Sequence, residues 1–87
     1  MLRTIADITP SGALIARSVE VMLLEGERSG IRHWSGWFLV ADQGAFALGT
    51  SLTITLADKR AGGAFVTGLD VGGQQIRVHF TGSGPLK

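Results

Sequence analysis

The side chains capable of acid–base or nucleophilic chemistry are few in this sequence and lie far apart along it. The 87 residues include two histidines, His33 and His79, and no cysteine. A nucleophilic site needs a hydroxyl or thiol beside a base and an orienting group, and no motif fixes Ser35 or Ser51 beside either imidazole. The carboxylates are also spread out, and most fall at predicted turns. We therefore expect no catalytic residues and a protein that is not an enzyme.

The sequence predicts neither a metal site nor a cofactor site. A zinc ion needs three or four well-placed ligands, which two separated histidines in a chain without cysteine do not supply. Neither a Walker pattern nor a Gly-x-Gly-x-x-Gly motif before a helix occurs. The pairs Gly62-Gly63 and Gly72-Gly73 fall between predicted strands, so hairpin turns explain them better than phosphate loops do.

The most distinctive stretch runs from Arg32 to Phe38 and contains both tryptophans of the chain. Successive side chains of a strand point to opposite faces, so Trp34 and Phe38 share one face and Trp37 points to the other. If one face is core, the other must be covered by the chain, a subunit or a ligand. Tryptophan is enriched at binding hot spots. We therefore predict a binding surface around Trp34 and Trp37, flanked by Arg32 and Arg77.

The competing interpretation is that Trp37 packs beneath a segment of its own chain. The N-terminal segment and the connector between Asp42 and Leu48 are the two candidates for that cover. A tryptophan buried by its own chain is a common outcome in small domains.

A second functional hypothesis is nucleotide or nucleic-acid binding through Arg28 and Arg32. Single-strand binders combine stacking aromatics with a basic groove, and these arginines, Arg77 and the two tryptophans would form such a face. However, eight Lys and Arg stand against seven Asp and Glu, for a net charge of +1. Glu25 and Glu27 also adjoin Arg28. The charge balance argues against a nucleic-acid partner, which requires many cations to neutralise phosphates.

The stretch Arg28-Ser29-Gly30-Ile31-Arg32 has the Arg-x-x-x-Arg spacing. It resembles one of the two signatures of PilZ domains, small barrels that bind cyclic di-GMP. The second signature, Asp/Asn-x-Ser-x-x-Gly on a following strand, is not found here. Two fixed positions do not assign the chain to that family, and the resemblance bears only on the hypothesis of nucleotide binding at Arg28 and Arg32.

Composition favours a folded domain with a partner. Hydrophobic residues make up 45% and charged residues 17%, with a mean hydropathy of +0.29, which rules out intrinsic disorder. A chain this short buries only about 60–65% of its unfolded surface, so apolar surface is left over. We expect a homo-oligomer or a protein partner.

With no apolar stretch of about 20 residues and no secretory signal, we expect no membrane span and a cytoplasmic location.

The C-terminal half predicts three antiparallel strands by its period-two alternation. Leu52, Ile54 and Leu56 share one face of the first. The second, from Ala64 to Val71, places Phe65, Leu69 and Val71 on one face, and Gly68 marks a bulge or a close backbone approach. Ile76, Val78 and Phe80 share a face of the third. Residues 51–81 therefore form a meander, with a charged turn over 58–60.

The first half predicts a hairpin of 16–24 with 31–40, joined by a polar turn over 25–30. A helix over 13–25 is the alternative, but Val19 and Val21 favour strand. Residues 2–8 add a short edge strand, turns fall at 9–12 and 42–44, and 45–48 is a brief strand or connector. About six short strands predict a single all-β domain over residues 1–87, a small antiparallel barrel or sandwich.

Overall fold

The computed structural model describes residues 2–10, 16–41 and 46–87, and for residues 16–18 and 28 only the backbone. The strands are β1 (Leu2–Pro10), β2 (Ala16–Arg28), β3 (Ile31–Val40), β4 (Ser51–Leu56), β5 (Ala61–Gly72) and β6 (Gln75–Gly82). They form one closed antiparallel barrel in the order β1-β2-β3-β6-β5-β4. The predicted all-β class is confirmed, and of the two predicted architectures the chain adopts the barrel.

Two three-stranded meanders, β1-β2-β3 and β4-β5-β6, make up the wall. The pairings of β3 with β6 and of β1 with β4 join them and close the sheet. Closure leaves no free edge along the barrel wall, where an open sheet would expose unpaired backbone groups. The helix considered over 13–25 is wrong for residues 16–25, which lie in β2, and residues 13–15 lie outside the described residues.

The alternation predicted for β4 and β6 is confirmed. Leu52, Ile54 and Leu56 are buried on β4, and Val78 and Phe80 are buried on β6. The same pleat turns Trp34 and Phe38 of β3 into the barrel. These side chains, together with buried residues of β1, β2 and β5, form a single core cluster.

The hairpin between β2 and β3 is longer than predicted, because the polar residues after Leu24 continue β2. Only Ser29 and Gly30 form the turn, with φ angles of 53° and 78°. Two successive positive φ angles are typical of a two-residue type I′ turn, whose twist matches the strands on either side. The hairpin extends beyond the rest of the barrel, since β3 begins to pair with β6 only at Ser35.

The face predicted for β5 is wrong. Ala64 and Val66 point into the core, while Phe65 is 38% exposed and Val71 is 76% exposed. The register shifts between Val66 and Gly68, which confirms the predicted bulge. A bulge adds one unpaired residue and so changes the face on which the later residues lie. Leu69 therefore packs against the core although Phe65 does not.

Several predicted turns also shift. Gly62 and Gly63 lie within β5 and pair with β4, so they are not a turn, and the β5–β6 turn falls at Gly73 and Gln74. Thr9 and Pro10 belong to β1 rather than to a turn. The predicted turns at 11–12 and 42–44 lie outside the described residues, as does Ala45, and 46–48 is a connector. The charged turn at 58–60 is confirmed, with Lys59 at a φ of 72°.

Trp34 fills one end of the barrel. Its indole Nε1 donates a hydrogen bond of 2.7 Å to the backbone oxygen of Gly84, in the tail that follows β6. Backbone bonds of 2.6 and 2.9 Å between Ala61 and Lys87 hold that tail against β5. A Cβ added at Gly82 would overlap the indole, and one at Gly62 would lie 2.8 Å from its Cζ2. The two glycines therefore provide the space that the indole occupies.

Replacing Gly82 with alanine should therefore destabilise the barrel. We expect Gly82→Ala to lower the free energy of unfolding by about 1–3 kcal/mol, the usual range for overpacking a core. Gly84→Ala is the matched control, because a Cβ there meets nothing within 4 Å. Chemical denaturation measures both variants. Equal stability of the two would show that Trp34 does not need the space at Gly82.

Candidate functional site

Trp37 lies on the outer surface of β3, across the wall from the core. Its cross-strand partners are Met22 on β2 and His79 on β6. The guanidinium carbon of Arg77 lies 4.4 Å from the centroid of the indole ring. Trp37 is half-buried, and a cation over a tryptophan at the protein surface contributes about 0.5–1 kcal/mol. The structure thus brings together two of the residues predicted to form the binding surface, Trp37 and Arg77.

Further apolar side chains surround this pair on the outside of the wall. Leu24 on β2 is 46% exposed and Leu39 on β3 is 40% exposed, while Met22 is half-buried. We call the surface formed by Met22, Leu24, Trp37, Leu39 and Arg77 the Trp37 face. It spans three adjacent strands, and it places its apolar side chains together rather than singly. A contiguous apolar patch on a small protein is typical of an interaction site.

The described segments do not cover the Trp37 face with the protein's own chain. The N-terminal segment forms β1 in the barrel wall, paired with β2 and β4, so it does not lie over Trp37. Within the connector, Phe46 is buried and packs edge-on against Phe38 at 5.3 Å inside the barrel. The connector residues 42–45 lie outside the described residues.

Charged pairs lie on both sides of the Trp37 face. On one side, Arg3 Nε and Glu20 Oε1 are 3.4 Å apart. On the other, His79 Nε2 and Asp70 Oδ2 are 2.8 Å apart. Arg77 makes no ion pair with any residue in the described part of the chain. Its guanidinium lies over the indole, and no ion pair within the described residues occupies its N–H donors.

Trp34, which the sequence places in the binding surface, has a different environment. Its side chain is 4% exposed and packs edge-on against Phe80 at 5.8 Å. It belongs to the core, and the Trp37 face does not include it. This follows from the pleat, because Trp34 and Trp37 are an odd number of residues apart and must point to opposite sides of the wall.

Arg28 and Arg32 also lie away from Trp37. Arg32 is five positions before Trp37 on β3, about 16 Å along a strand, and it points to the other side of the sheet. Arg28 is the last residue of β2 and pairs with Ile31; its side chain lies outside the described residues. The structure therefore separates Trp37 and Arg77 from Arg32, which lies on the opposite face of β3, and from the backbone of Arg28, which lies at the tip of the hairpin.

Arg32 lines a groove at the barrel end, between the β2–β3 hairpin and the C-terminal tail. We call it the end groove; its volume is about 1010 Å³. Charged residues of both signs line it: Glu25, Glu27, Arg32, Arg60 and Lys87. Arg60, in the turn between β4 and β5, contacts the hairpin wall, with Nη1 3.2 Å from Glu25 Oε1.

Arg60 also pairs with Asp58 within the β4–β5 turn, at 2.9 Å between Nε and Oδ2. The Arg60 backbone N–H donates to Asp58 Oδ1 at 3.0 Å. This bond is the largest cause of a lowered pKa of the Asp58 carboxyl, and the guanidinium adds to it. The pKa of Arg60 is raised, chiefly by its side-chain hydrogen bond to Asp58. The sequence predicts residues 58–60 only as a charged turn, and no local pattern indicates the contact of Arg60 with Glu25, 35 residues away.

The structure does not bring the two histidines together. Both point outward, His33 over Gly26 and His79 beside Trp37, and about 13 Å of β3 separates their positions. No cluster of three or more potential metal ligands occurs among residues 2–10, 16–41 and 46–87. The described segments contain no helix that could cross a membrane.

We found no protein family, no curated relative and no solved structure that matches the chain. The Trp37 face and the end groove are the two surfaces of the described residues that could bind a partner or ligand.

The Asp58 carboxyl should titrate below the ordinary aspartate value. Its pKa is lowered on folding, so the stabilisation from this turn is present above the unfolded value of about 3.9 and is lost as the pH falls through the folded value. NMR titration of the carboxyl carbon measures this. Arg60→Gln should raise the pKa only part of the way, because the backbone N–H of residue 60 remains. A full return to the ordinary value would contradict the assigned main cause.

Proposed function

We propose that the barrel is a non-enzymatic interaction module that associates with a second copy of itself through the Trp37 face. The observation that supports this is the apolar patch on β2 and β3 with Arg77 fixed over the indole of Trp37. The patch combines a large aromatic ring, branched apolar side chains and an arginine. Tryptophan and arginine are the residue types most enriched among those that dominate binding energy.

A second copy of the chain is the partner that best fits the charged residues around the Trp37 face. The rim of the Trp37 face carries both signs on each side, Arg3 with Glu20 on one and Arg77 with Asp70 on the other. A strongly acidic or basic partner would meet like charges on both sides of this rim. A surface with balanced charges complements a copy of itself, as two-fold symmetric interfaces require.

The contact between two such barrels is small, because a closed barrel is convex and presents mainly β3 and its two neighbours. An interface below about 1,200 Å² in total is typical of weak, reversible association. We therefore expect a dimer in exchange with monomer rather than a permanent one.

Sedimentation of the protein over a concentration series should show a dimer that Trp37→Ala weakens. We expect the dissociation constant to rise about tenfold or more, a loss of about 1.4 kcal/mol. Ile31→Ala is the matched control, since Ile31 is 70% exposed at the tip of the β2–β3 hairpin, about 20 Å along β3 from Trp37, and its loss should leave association unchanged. A protein that stays monomeric up to about 1 mM, the weakest affinity of interest, would overturn the proposal.

A second candidate function is binding of an anionic ligand such as a nucleotide in the end groove. The observation in its favour is that Arg32 is exposed, lines the groove and makes no ion pair with the described residues. Lys87 lines the same groove. Glu25 and Glu27 weigh against it, because they oppose the approach of a phosphate.

This second function predicts a salt-sensitive affinity for a cyclic dinucleotide or short oligonucleotide at low salt, which Arg32→Ala abolishes. Titration calorimetry with both probes measures it. Arg3→Ala is the control, since Arg3 is equally cationic but lies on β1 away from the groove. No heat of binding from either probe eliminates this function and leaves the self-association proposal unaffected.

A further inference from the structure

The charges nearest Trp37 have opposite signs on its two sides. Glu20 lies on β2, immediately before Val21. Val21 pairs with Phe38 and is the first residue of β2 that pairs with β3. Arg77 lies on β6, paired with Leu39 of β3. The Glu20 side chain is 58% exposed. On the β2 side the anion Glu20 is therefore nearest to β3, with Arg3 beyond it on β1. On the β6 side the cation Arg77 is nearest, with Asp70 beyond it on β5.

This asymmetry distinguishes between the two simple ways of packing two copies face to face. With the two-fold axis along β3, β2 of one copy lies over β6 of the other, and the Glu20 carboxylate meets Arg77 twice. With the axis across the strands, β6 lies over β6, and Arg77 approaches Arg77. Like charges brought together across an interface oppose association, whereas complementary ones favour it and fix the register.

We propose that the two-fold axis of the dimer runs along β3 and that Glu20 of each copy binds Arg77 of the other. This inference rests on the self-association proposed above and specifies its arrangement. Trp37 and Leu39 of β3 lie next to the two-fold axis, so each packs against the same residue of the other copy. Two Glu20–Arg77 pairs then flank that apolar centre.

Arg77 is well suited to such a contact. A guanidinium can stack on an aromatic ring and, at the same time, donate from its edge to a carboxylate. The indole already holds Arg77 in place at 4.4 Å, so little side-chain freedom remains to be lost on binding. The Arg3–Glu20 pair in the monomer does not prevent the exchange, because Arg3 and Glu20 are 71% and 58% exposed and pairs so exposed contribute little.

Charge reversal tests the pairing by sedimentation equilibrium. Glu20→Arg and Arg77→Glu should each raise the dissociation constant about tenfold or more, since each places two like charges in contact. The double variant should associate more tightly than either single variant, because its pairs are restored with opposite polarity, but less tightly than the wild type, because it lacks the contact of Arg77 with the indole. Glu27→Arg is the control; Glu27 lies on the hairpin beyond the barrel and its reversal should leave the constant unchanged.

A cross-link gives a second readout that does not depend on the charged variants. The chain has no cysteine, so Glu20→Cys and Arg77→Cys introduce the only thiols. Within one copy the two positions lie about 10 Å apart across β3, so in the proposed dimer identical positions are offset sideways by that distance, whereas position 20 of one copy lies over position 77 of the other. Face-to-face sheets pack about 10 Å apart, beyond the reach of a disulfide, so the reagent is a bifunctional thiol cross-linker of about that length. Mixing the two single variants with it should give a heterodimer faster than either variant forms a homodimer.

The outcomes separate this inference from the one it rests on. A wild-type protein that is always monomeric overturns both. A dimer that Trp37→Ala weakens, but that neither charge reversal affects, keeps the face and overturns the arrangement. Single reversals that the double variant does not rescue, or a cross-link of Arg77→Cys with itself in preference to the mixture, also overturn the arrangement.

Discussion

The position of Trp34 determines which way the side chains of β3 point. Its indole is buried in the barrel end, bonded to the Gly84 carbonyl and surrounded by positions where Gly62 and Gly82 leave room. A strand pleat cannot turn one residue inward without fixing its neighbours. With Trp34 and Phe38 inside, Trp37 and Leu39 must lie outside, whatever their own preference for burial. The exposed apolar surface is thus a consequence of how the barrel closes its end.

Residues on the two sides of β3 contribute to two candidate binding surfaces, and these surfaces share no residue. The Trp37 face is apolar with a single cation held on an aromatic ring. The end groove is lined by charges of both signs, and Arg60 and Glu25 already pair within it. Because Arg32 and Trp37 are on opposite sides of β3, a substitution at one should leave the other surface intact. Of the two, the Trp37 face has the stronger physical argument, since burial of apolar area is favourable without any specific ligand.

The sequence predicted the class and the strand number because period-two alternation and glycine spacing are local signals. The alternation of Leu52, Ile54 and Leu56 with polar or small residues predicts a strand with these three side chains on the buried face, as observed. The face of β5 was predicted wrongly because a bulge at Gly68 changes the side on which later residues point, and the sequence marks the bulge without showing its direction. The environment of Trp34 depends on Gly84, which is 50 residues away in the sequence. Arg60 likewise pairs with Glu25, which is 35 residues away. No local pattern carries such contacts. Arg77 was predicted beside Trp37 from its charge, and the antiparallel pairing of β3 with β6 supplies the reason.

The most direct test uses the two tryptophans themselves, which are the only ones in the chain. Labelling with 5-fluorotryptophan gives two ¹⁹F resonances, and Trp37→Phe assigns them. The account predicts that the Trp37 resonance shifts as the protein is diluted, because its environment changes as dimer dissociates, while that of Trp34 stays constant. Two resonances that are both independent of concentration, in a protein shown by its chemical-shift dispersion to be folded, would contradict it.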